Sequence, residues 1–297
     1  MRRKVVFLDI DGTLIGSNRR VPRSAVDAVH CAQQQGHVML ICTGRSIPEI
    51  GPEIMDLGCD GVVAVSGAYV AIHDTVIMNR FIEPAVITAV SSIFDRLGVD
   101  YLWQSSRGMW ATETYIDQVH DIERSAFEGE RRNNWHSLER AHEVARKEHR
   151  PLGELVPGSK GTFFALPERG VSYQQLCDVL ADQPLDIVRG SLGMIIPANG
   201  EATMRGVNKA LGLQAAVRHL GASVDDAIAI GDSDNDLDMI RAAGIGVAMG
   251  NAIDSIKQAA DFTTTGVDDD GIAHAFHMLG LLDSPPAWDR TDRVDTH

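Results

Sequence analysis

The sequence predicts an α/β protein: a doubly wound, mostly parallel core sheet with a mixed α/β segment inserted into it. Three observations predict this. Over roughly the first 80 residues, short and continuously apolar runs alternate with stretches of helical periodicity, as expected for parallel strands buried on both faces. The same alternation returns after Pro197. Between about Pro84 and Arg189 it gives way to shorter, paired strand patterns and charged stretches, so the first and last segments must close one sheet around the middle one.

Taken in order, Val5–Leu8 is the first strand. Ala25, Val26, Ala28, Val29 and Ala32 recur at helical spacing over Arg23–Gln35, between Pro22, which suits a helix start, and Gly36, which ends it. His37–Cys42 reads as a strand, Ile47–Leu57 as a helix and Val62–Val65 as a strand, followed by a hairpin over Tyr69–Ile82 that turns near His73-Asp74-Thr75. The middle segment opens with a helix, Ala85–Leu97. Strands over Asp100–Gln104 and Gly108–Thr112 follow, joined through Ser105-Ser106-Arg107, and then a charged, partly helical stretch from Gln118 to Arg150. Within it, Glu139–Arg150 mixes signs at helical spacing and reads as a solvated helix face. A strand at Thr162–Leu166, a helix at Tyr173–Leu180 and strands at Asp186–Val188 and Leu192–Ile196 complete it.

The last segment reads as helix Gly206–Leu220, strand Ala227–Ile230, helix Leu237–Ala243, strand Gly246–Met249 and helix Asp254–Ala260. A short strand, Asp261–Thr264, and a helix, Ile272–Leu279, end it. The expected domains are a discontinuous core (1–83 and 190–282), an inserted segment (84–189) and a disordered tail (283–297) that carries Pro285-Pro286 and dense charge.

A chain of 297 residues is long enough for two domains. Hydrophobic residues at 44% and charged residues at 23% are ordinary for a globular protein. The net charge of −14 argues against a nucleic-acid partner, whose binding needs clustered Lys and Arg. An acidic chain that binds an anion must build a local positive site from metal, Lys, Arg and backbone amides. No apolar run reaches the roughly 18 residues of a membrane span, and Asp9 and Asp11 interrupt the stretch after Met1-Arg2-Arg3-Lys4, so no signal peptide is expected. Cys31, Cys42, Cys59 and Cys177 show no metal-ligand spacing and read as reduced thiols of a cytoplasmic protein.

The chemistry starts where the first strand ends, at Asp9-Ile10-Asp11-Gly12-Thr13-Leu14. Residues i and i+2 of a strand point the same way, so the two carboxylates converge. Like charges that close either share a proton or hold a cation between them. Gly-Thr is turn chemistry that aims backbone N–H groups at an anion. Acids, a cation and a nest of amides together make a site for a phosphate ester, whereas an isolated Asp-Gly pair could be no more than a turn. Thr43 and Gly44 end the second strand, where a hydroxyl and an amide can bind a phosphate oxygen. Lys209 begins a helix and would face the strand ends. Asp232, Asp234, Asp236 and Asp238 crowd into seven residues after an apolar strand, in Gly231-Asp232-Ser233-Asp234-Asn235-Asp236 and just beyond. Such a density of hard oxygen ligands calls for Mg²⁺; a calcium loop would need a Glu about twelve positions on and a helix–loop–helix context.

These motifs together resemble the haloacid dehalogenase (HAD) superfamily, and from Lys4 to about Leu282 the chain resembles its Cof-type phosphatase branch (subfamily IIB). Val247-Ala248-Met249-Gly250-Asn251-Ala252 and Ala259-Ala260-Asp261 with Asp270-Gly271-Ile272-Ala273 match the end of that pattern. The resemblance implies a Rossmann-like core with an α/β cap that sets substrate specificity. It implies a Mg²⁺-dependent phosphatase for a small phosphorylated metabolite, a sugar phosphate or similar, working through an aspartyl-phosphate. Asp9 would be the nucleophile and Asp11 the general acid and base. Thr43, Gly44, Lys209 and Asn235 would bind the substrate phosphate, and Asp9, Asp11 and Asp232 would hold the metal. Asp236 would lie in the outer shell or pair with Lys209, Arg45 would support the site or brace the scaffold, and Asp234 and Asp238 would be helix-start acids. Two departures stand out: Lys209-Ala210 where the branch usually reads Lys-Gly, and Ser66 in Val65-Ser66-Gly67-Ala68 where it usually has Asn. A phosphomutase and a non-catalytic phospholigand-binding protein on the same fold are the alternatives.

Overall fold

The computed structural model describes residues 2–16, 20–112, 114–115, 117–118, 157–189 and 196–282. In chain order these residues form β1 (Val5–Leu8), α1 (Arg23–Gln34), β2 (Val38–Cys42), α2 (Pro52–Met55), β3 (Gly61–Ala64), β4 (Tyr69–Ile72) and β5 (Thr75–Asn79). Next come α3 (Pro84–Leu97), β6 (Asp100–Ser105), β7 (Gly108–Ala111), β8 (Lys160–Ala165), α4 (Tyr173–Leu180), β9 (Leu185–Arg189) and β10 (Ala198–Met204). Then follow α5 (Lys209–His219), β11 (Ala227–Gly231), α6 (Leu237–Ala242), β12 (Ile245–Ala248), α7 (Asp254–Ala259), β13 (Phe262–Thr263) and α8 (Gly271–Met278). The fold is α/β, with a mostly parallel sheet and a separate antiparallel one. No helix among the described residues is long and apolar enough to cross a membrane.

The chain divides into two compact units. One comprises Met1–Gly44, Pro52–Met78 and Asn208–His297; the other comprises Arg45–Gly51 and Asn79–Val207. The first unit carries the sheet β13-β12-β11-β1-β2-β3-β4-β5, in which β1 pairs in parallel with both β11 and β2. All four residues of β1 are buried, as are those of β2 and β11, so the apolar runs of the sequence are the sheet centre. Leu8 pairs with Ile230 on one side and Ile41 on the other. That register brings Asp9, Cys42-Thr43 and Gly231-Asp232 to the same carboxyl edge. On α1, Ala25, Ala28, Val29 and Ala32 are buried, and the helix packs against α8.

The second unit is an antiparallel sheet, β7-β6-β8-β10-β9, with α3 and α4. Strand alternation puts Tyr101 and Trp103 of β6 with Phe163 of β8 and Ala202 of β10 in one apolar core, shared with Phe94 of α3 and Leu176 and Leu180 of α4. The Phe94 ring lies 5.0 Å from that of Phe163 and 5.5 Å from that of Tyr101. Trp103, wholly enclosed, donates its indole N–H to Ser91 Oγ at 3.0 Å.

Several expectations are corrected. The helix anticipated over Ile47–Leu57 is a 3₁₀ turn, Ile47–Glu49, followed by the single turn of α2. Pro48 and Pro52 supply no N–H, and Gly51 is a poor helix former, so one continuous ladder cannot form. Ala198–Met204, for which no strand is expected, forms β10 between β8 and β9. The helix expected from Gly206 starts at Lys209, where the Asn208 side chain accepts the Leu211 N–H at 3.0 Å. Because β10 pairs inside the second sheet, the second unit runs to Val207 and also takes in Arg45–Gly51, whereas the insertion was expected at 84–189. The charged stretch past Gln118, residues 192–195 and the tail from Asp283 lie outside the described residues.

Candidate active site

Asp9 leaves β1 with its N–H bonded to the Ile230 carbonyl at 3.1 Å, so its backbone is held by the strand that leads to Asp232. Its carboxylate is buried and meets Lys209: Nζ lies 2.6 Å from Asp9 Oδ1, 2.5 Å from Asp236 Oδ1 and 3.0 Å from Asn235 Oδ1. These are three acceptors for the three ammonium protons. Lys209 reaches them because it opens α5, whose Asn208 cap fixes the helix start. The other Asp236 oxygen, Oδ2, accepts the N–H groups of Asp232 (2.9 Å) and Ser233 (3.0 Å), folding the acidic loop over its own fourth acid. Asp236 is wholly enclosed and committed on both oxygens to neighbours within the site.

The Asp11-Gly12-Thr13 turn packs onto the same loop. Thr13 Oγ1 donates to Asp232 Oδ1 at 3.3 Å. Gly12 has φ of +85°, and a Cβ there would stand 2.2 Å from Asp232 Oδ2, so both conformation and space require glycine. Thr13 is fully buried, and its hydroxyl bond to Asp232 is a side-chain role beyond the turn chemistry that the sequence suggests.

Oxygens of Asp9, Asp232 and Asp236 lie within 4.8 Å of one another, and this is the acid group that could hold a metal ion among the described residues. Asp11, expected to share the metal, is outside that group and half-buried. Burial raises the Asp9 carboxyl well above its usual value and Asp236 adds to it, while Lys209 opposes both. Burial, again joined by Asp236, pushes Asp232 up to about 7. Burial works against the charge on Lys209, but Asp236 and Asp9 outweigh it and hold the ammonium above its ordinary range. Three carboxylates thus surround one ammonium in a low-dielectric site, an excess of negative charge that a hard divalent cation would relieve. The residues fit Mg²⁺. Asp236 has both oxygens taken, whereas Asp9 and Asp232 each keep one oxygen outside these hydrogen bonds, so these two could serve as direct carboxylate ligands.

Thr43 follows β2 beside Asp9; it is buried, with its N–H on the Val63 carbonyl (2.8 Å) and its carbonyl accepting the Ser66 N–H (3.1 Å). Gly44 ends that stretch of the first unit. Arg45 belongs to the second unit, where its guanidinium donates to the Glu49 carbonyl at 3.4 Å. The Glu49 carboxylate accepts the Ser46 N–H (2.6 Å) and hydroxyl (2.7 Å), and burial raises its pKa against the pull of Lys160. Asp238 accepts from Asn208 Nδ2 at 2.7 Å and Asp234 from Ser255 Oγ at 3.2 Å.

Comparisons with known proteins agree on one relationship. A family model for haloacid dehalogenase-like hydrolases matches residues 6–276. YkrA of Bacillus subtilis is 28% identical over 95% of this chain and all of its own length. The B. subtilis protein named 5-amino-6-(5-phospho-D-ribitylamino)uracil phosphatase YitU is 26% identical, over 91% of this chain and 94% of that one. Among solved structures, the subclass IIB sugar phosphatase BT4131 superimposes with a TM-score of 0.74 at 26% identity, covering 94% of this chain and 100% of its own.

Proposed function

The chain belongs to the haloacid dehalogenase-like hydrolase family and is a phosphoric monoester hydrolase, and we propose that it uses Mg²⁺ to hydrolyse a small phosphorylated metabolite, such as a sugar phosphate, through an aspartyl-phosphate on Asp9. One observation carries this reading: Asp9 is buried at a strand end, salt-bridged to Lys209 at 2.6 Å, with a carboxylate oxygen within 4.8 Å of one on Asp232. A carboxylate in that setting is an oriented nucleophile with its charge compensated from behind.

Asp9 attacks phosphorus, forming the aspartyl-phosphate as the bond to the ester oxygen breaks. Asp11 gives that oxygen its proton, then takes one from the water that hydrolyses the acyl-phosphate, which frees inorganic phosphate and regenerates Asp9. Lys209 offsets the charge that gathers on the phosphoryl oxygens, and Thr43, Gly44 and Asn235 bind those oxygens. Asp9 and Asp232 would hold Mg²⁺, which when bound supplies the positive charge that lets an anionic nucleophile approach a dianionic phosphate.

The decisive test is release of phosphate from a panel of sugar phosphates and from p-nitrophenyl phosphate, with Mg²⁺ and with EDTA. Turnover should be reversibly lost on chelation and absent in a folded Asp9→Asn protein. Full activity after exhaustive chelation would remove the metal from the account, and steady turnover by pure Asp9→Asn would remove the covalent intermediate.

A further inference from the structure

The segment from Met249 to Ile253, between β12 and α7, touches both acidic loops without contributing an acid of its own. Its Met249 N–H donates to the Gly231 carbonyl and its Ile253 N–H to the Asp232 carbonyl, each at 3.0 Å. Between these two anchors Asn251 extends its carboxamide. Nδ2 donates to the Gly12 carbonyl at 2.8 Å, while Oδ1 accepts the Val267 N–H at 2.9 Å. The partners dictate which way the amide faces: a carbonyl can only accept and a peptide N–H can only donate, so the nitrogen must point at Gly12. Gly250 lets the segment lie close enough, since a Cβ there would fall 2.6 Å from the Gly266 nitrogen.

The Gly12 carbonyl matters because of what precedes it. The turn after β1 is closed by Gly12 N–H to the Ile15 carbonyl (3.0 Å) and by Leu14 N–H to the Ile10 carbonyl (2.9 Å), both internal to the turn. Asn251 ties it instead to a distant part of the chain, and Thr13 ties it to Asp232. We infer that Asn251 is a positioning residue for Asp11: by holding the Gly12 carbonyl against the Val267 turn, its carboxamide sets the direction in which the Asp11 carboxyl is presented. The inference rests on the reading of Asp11 as acid and base. Asn251 is exposed, so its hydrogen bond bears on geometry more than on global stability.

Asn251→Asp isolates the effect. The substitution keeps shape and the acceptor for Val267 but sets a carboxylate oxygen against the Gly12 carbonyl, turning attraction into repulsion. With saturating Mg²⁺ and an alkyl phosphate, kcat should fall about 10-fold with KM within about 2-fold, because a small displacement of a catalytic group can cost up to about 10²-fold. The melting temperature should be nearly unchanged. Asn251→Ala, which deletes the contact without repulsion, should show a smaller loss of the same kind. In an Asp11→Asn background, followed by single turnover, Asn251→Asp should cost less than about 2-fold more, since no acid remains to be misdirected. Wild-type kcat in both Asn251 variants, or the full penalty persisting in the Asp11→Asn background, would overturn the assignment. Wild-type turnover of the alkyl phosphate by Asp11→Asn alone would instead sink the reading of Asp11, and that outcome is visible without any Asn251 variant.

Discussion

Lys209 and Asp236 are both enclosed, and their charged atoms stand 2.5 Å apart at the centre of the acidic site. The pair is indispensable in one direction only. Asp236 has two amide N–H groups besides the lysine, whereas Lys209 is the ammonium that Asp9, Asn235 and Asp236 share.

Lys209→Met should therefore leave carboxylates buried without their counter-charge. Removing one partner of a buried pair costs on the order of 3–5 kcal/mol, and loss of a phosphoryl-stabilising cation on the order of 10²–10³ in kcat. Urea unfolding in EDTA should show the stability loss, and added Mg²⁺ should restore part of it, because the ion replaces some of the missing positive charge. A variant as stable as wild type in EDTA would mean that the carboxylates are not charged together.

The raised pKa of Asp232, about 7, sets a pH dependence. An acid that binds its proton more tightly folded than unfolded stabilises the native state as the pH drops through its folded value toward the unfolded one, near 4. That stability is lost again as the pH rises through about 7. In EDTA the melting temperature should rise between pH 8 and pH 6, and Asp232→Asn should flatten that rise. Mg²⁺ needs the ionised carboxylate, so the stabilisation it confers should be larger at pH 8 than at pH 6. A Mg²⁺ increment that is equal at both pH values would contradict proton–metal competition at Asp232.

The sheet centre was legible because β1, β2 and β11 are uninterrupted apolar runs, each delivering a polar motif at its carboxyl end. Parallel pairing then brings Asp9, Thr43 and Asp232 together with no further information. Less legible were features that depend on tertiary neighbours. Ala198–Met204 has one β-branched residue, Thr203, and a glycine, Gly200, in its interior; it is a strand because β8 and β9 flank it. Ile47, Ile50, Ile54 and Leu57 keep a helical period that Pro48 and Pro52 forbid. The Lys209–Asp9 contact spans 200 residues, yet a lysine that opens a helix facing the strand ends is expected to neutralise Asp9; the Asn251–Gly12 contact spans 239 residues and has no such local signal.

Ser66, where the family pattern usually has Asn, sits in a run of three left-handed residues: Val65 and Ser66 both have φ of 52° and Gly67 has φ of +94°. At Gly67 a Cβ would stand 1.9 Å from the Asn208 carbonyl oxygen and 3.2 Å from the Lys209 nitrogen. This turn is thus the surface on which the start of α5 rests. Gly36 offers a control, because it is also left-handed (φ +87°) yet a Cβ there would meet nothing within 4 Å. Gly36→Ala should cost only the backbone term, about 1 kcal/mol. Gly67→Ala adds an overlap with backbone, which cannot swing aside as a side chain would, worth roughly a further 1–3 kcal/mol. The larger consequence is functional. To relieve the overlap, the Asn208–Lys209 peptide must shift, and it carries the ammonium that meets Asp9 at 2.6 Å. Gly67→Ala should lower kcat by about 10-fold or more at temperatures where the protein is fully folded, since misplaced catalytic groups lose rate steeply. Gly36→Ala should keep wild-type kcat. Equal kcat in the two variants would show that α5 does not take its position from this turn.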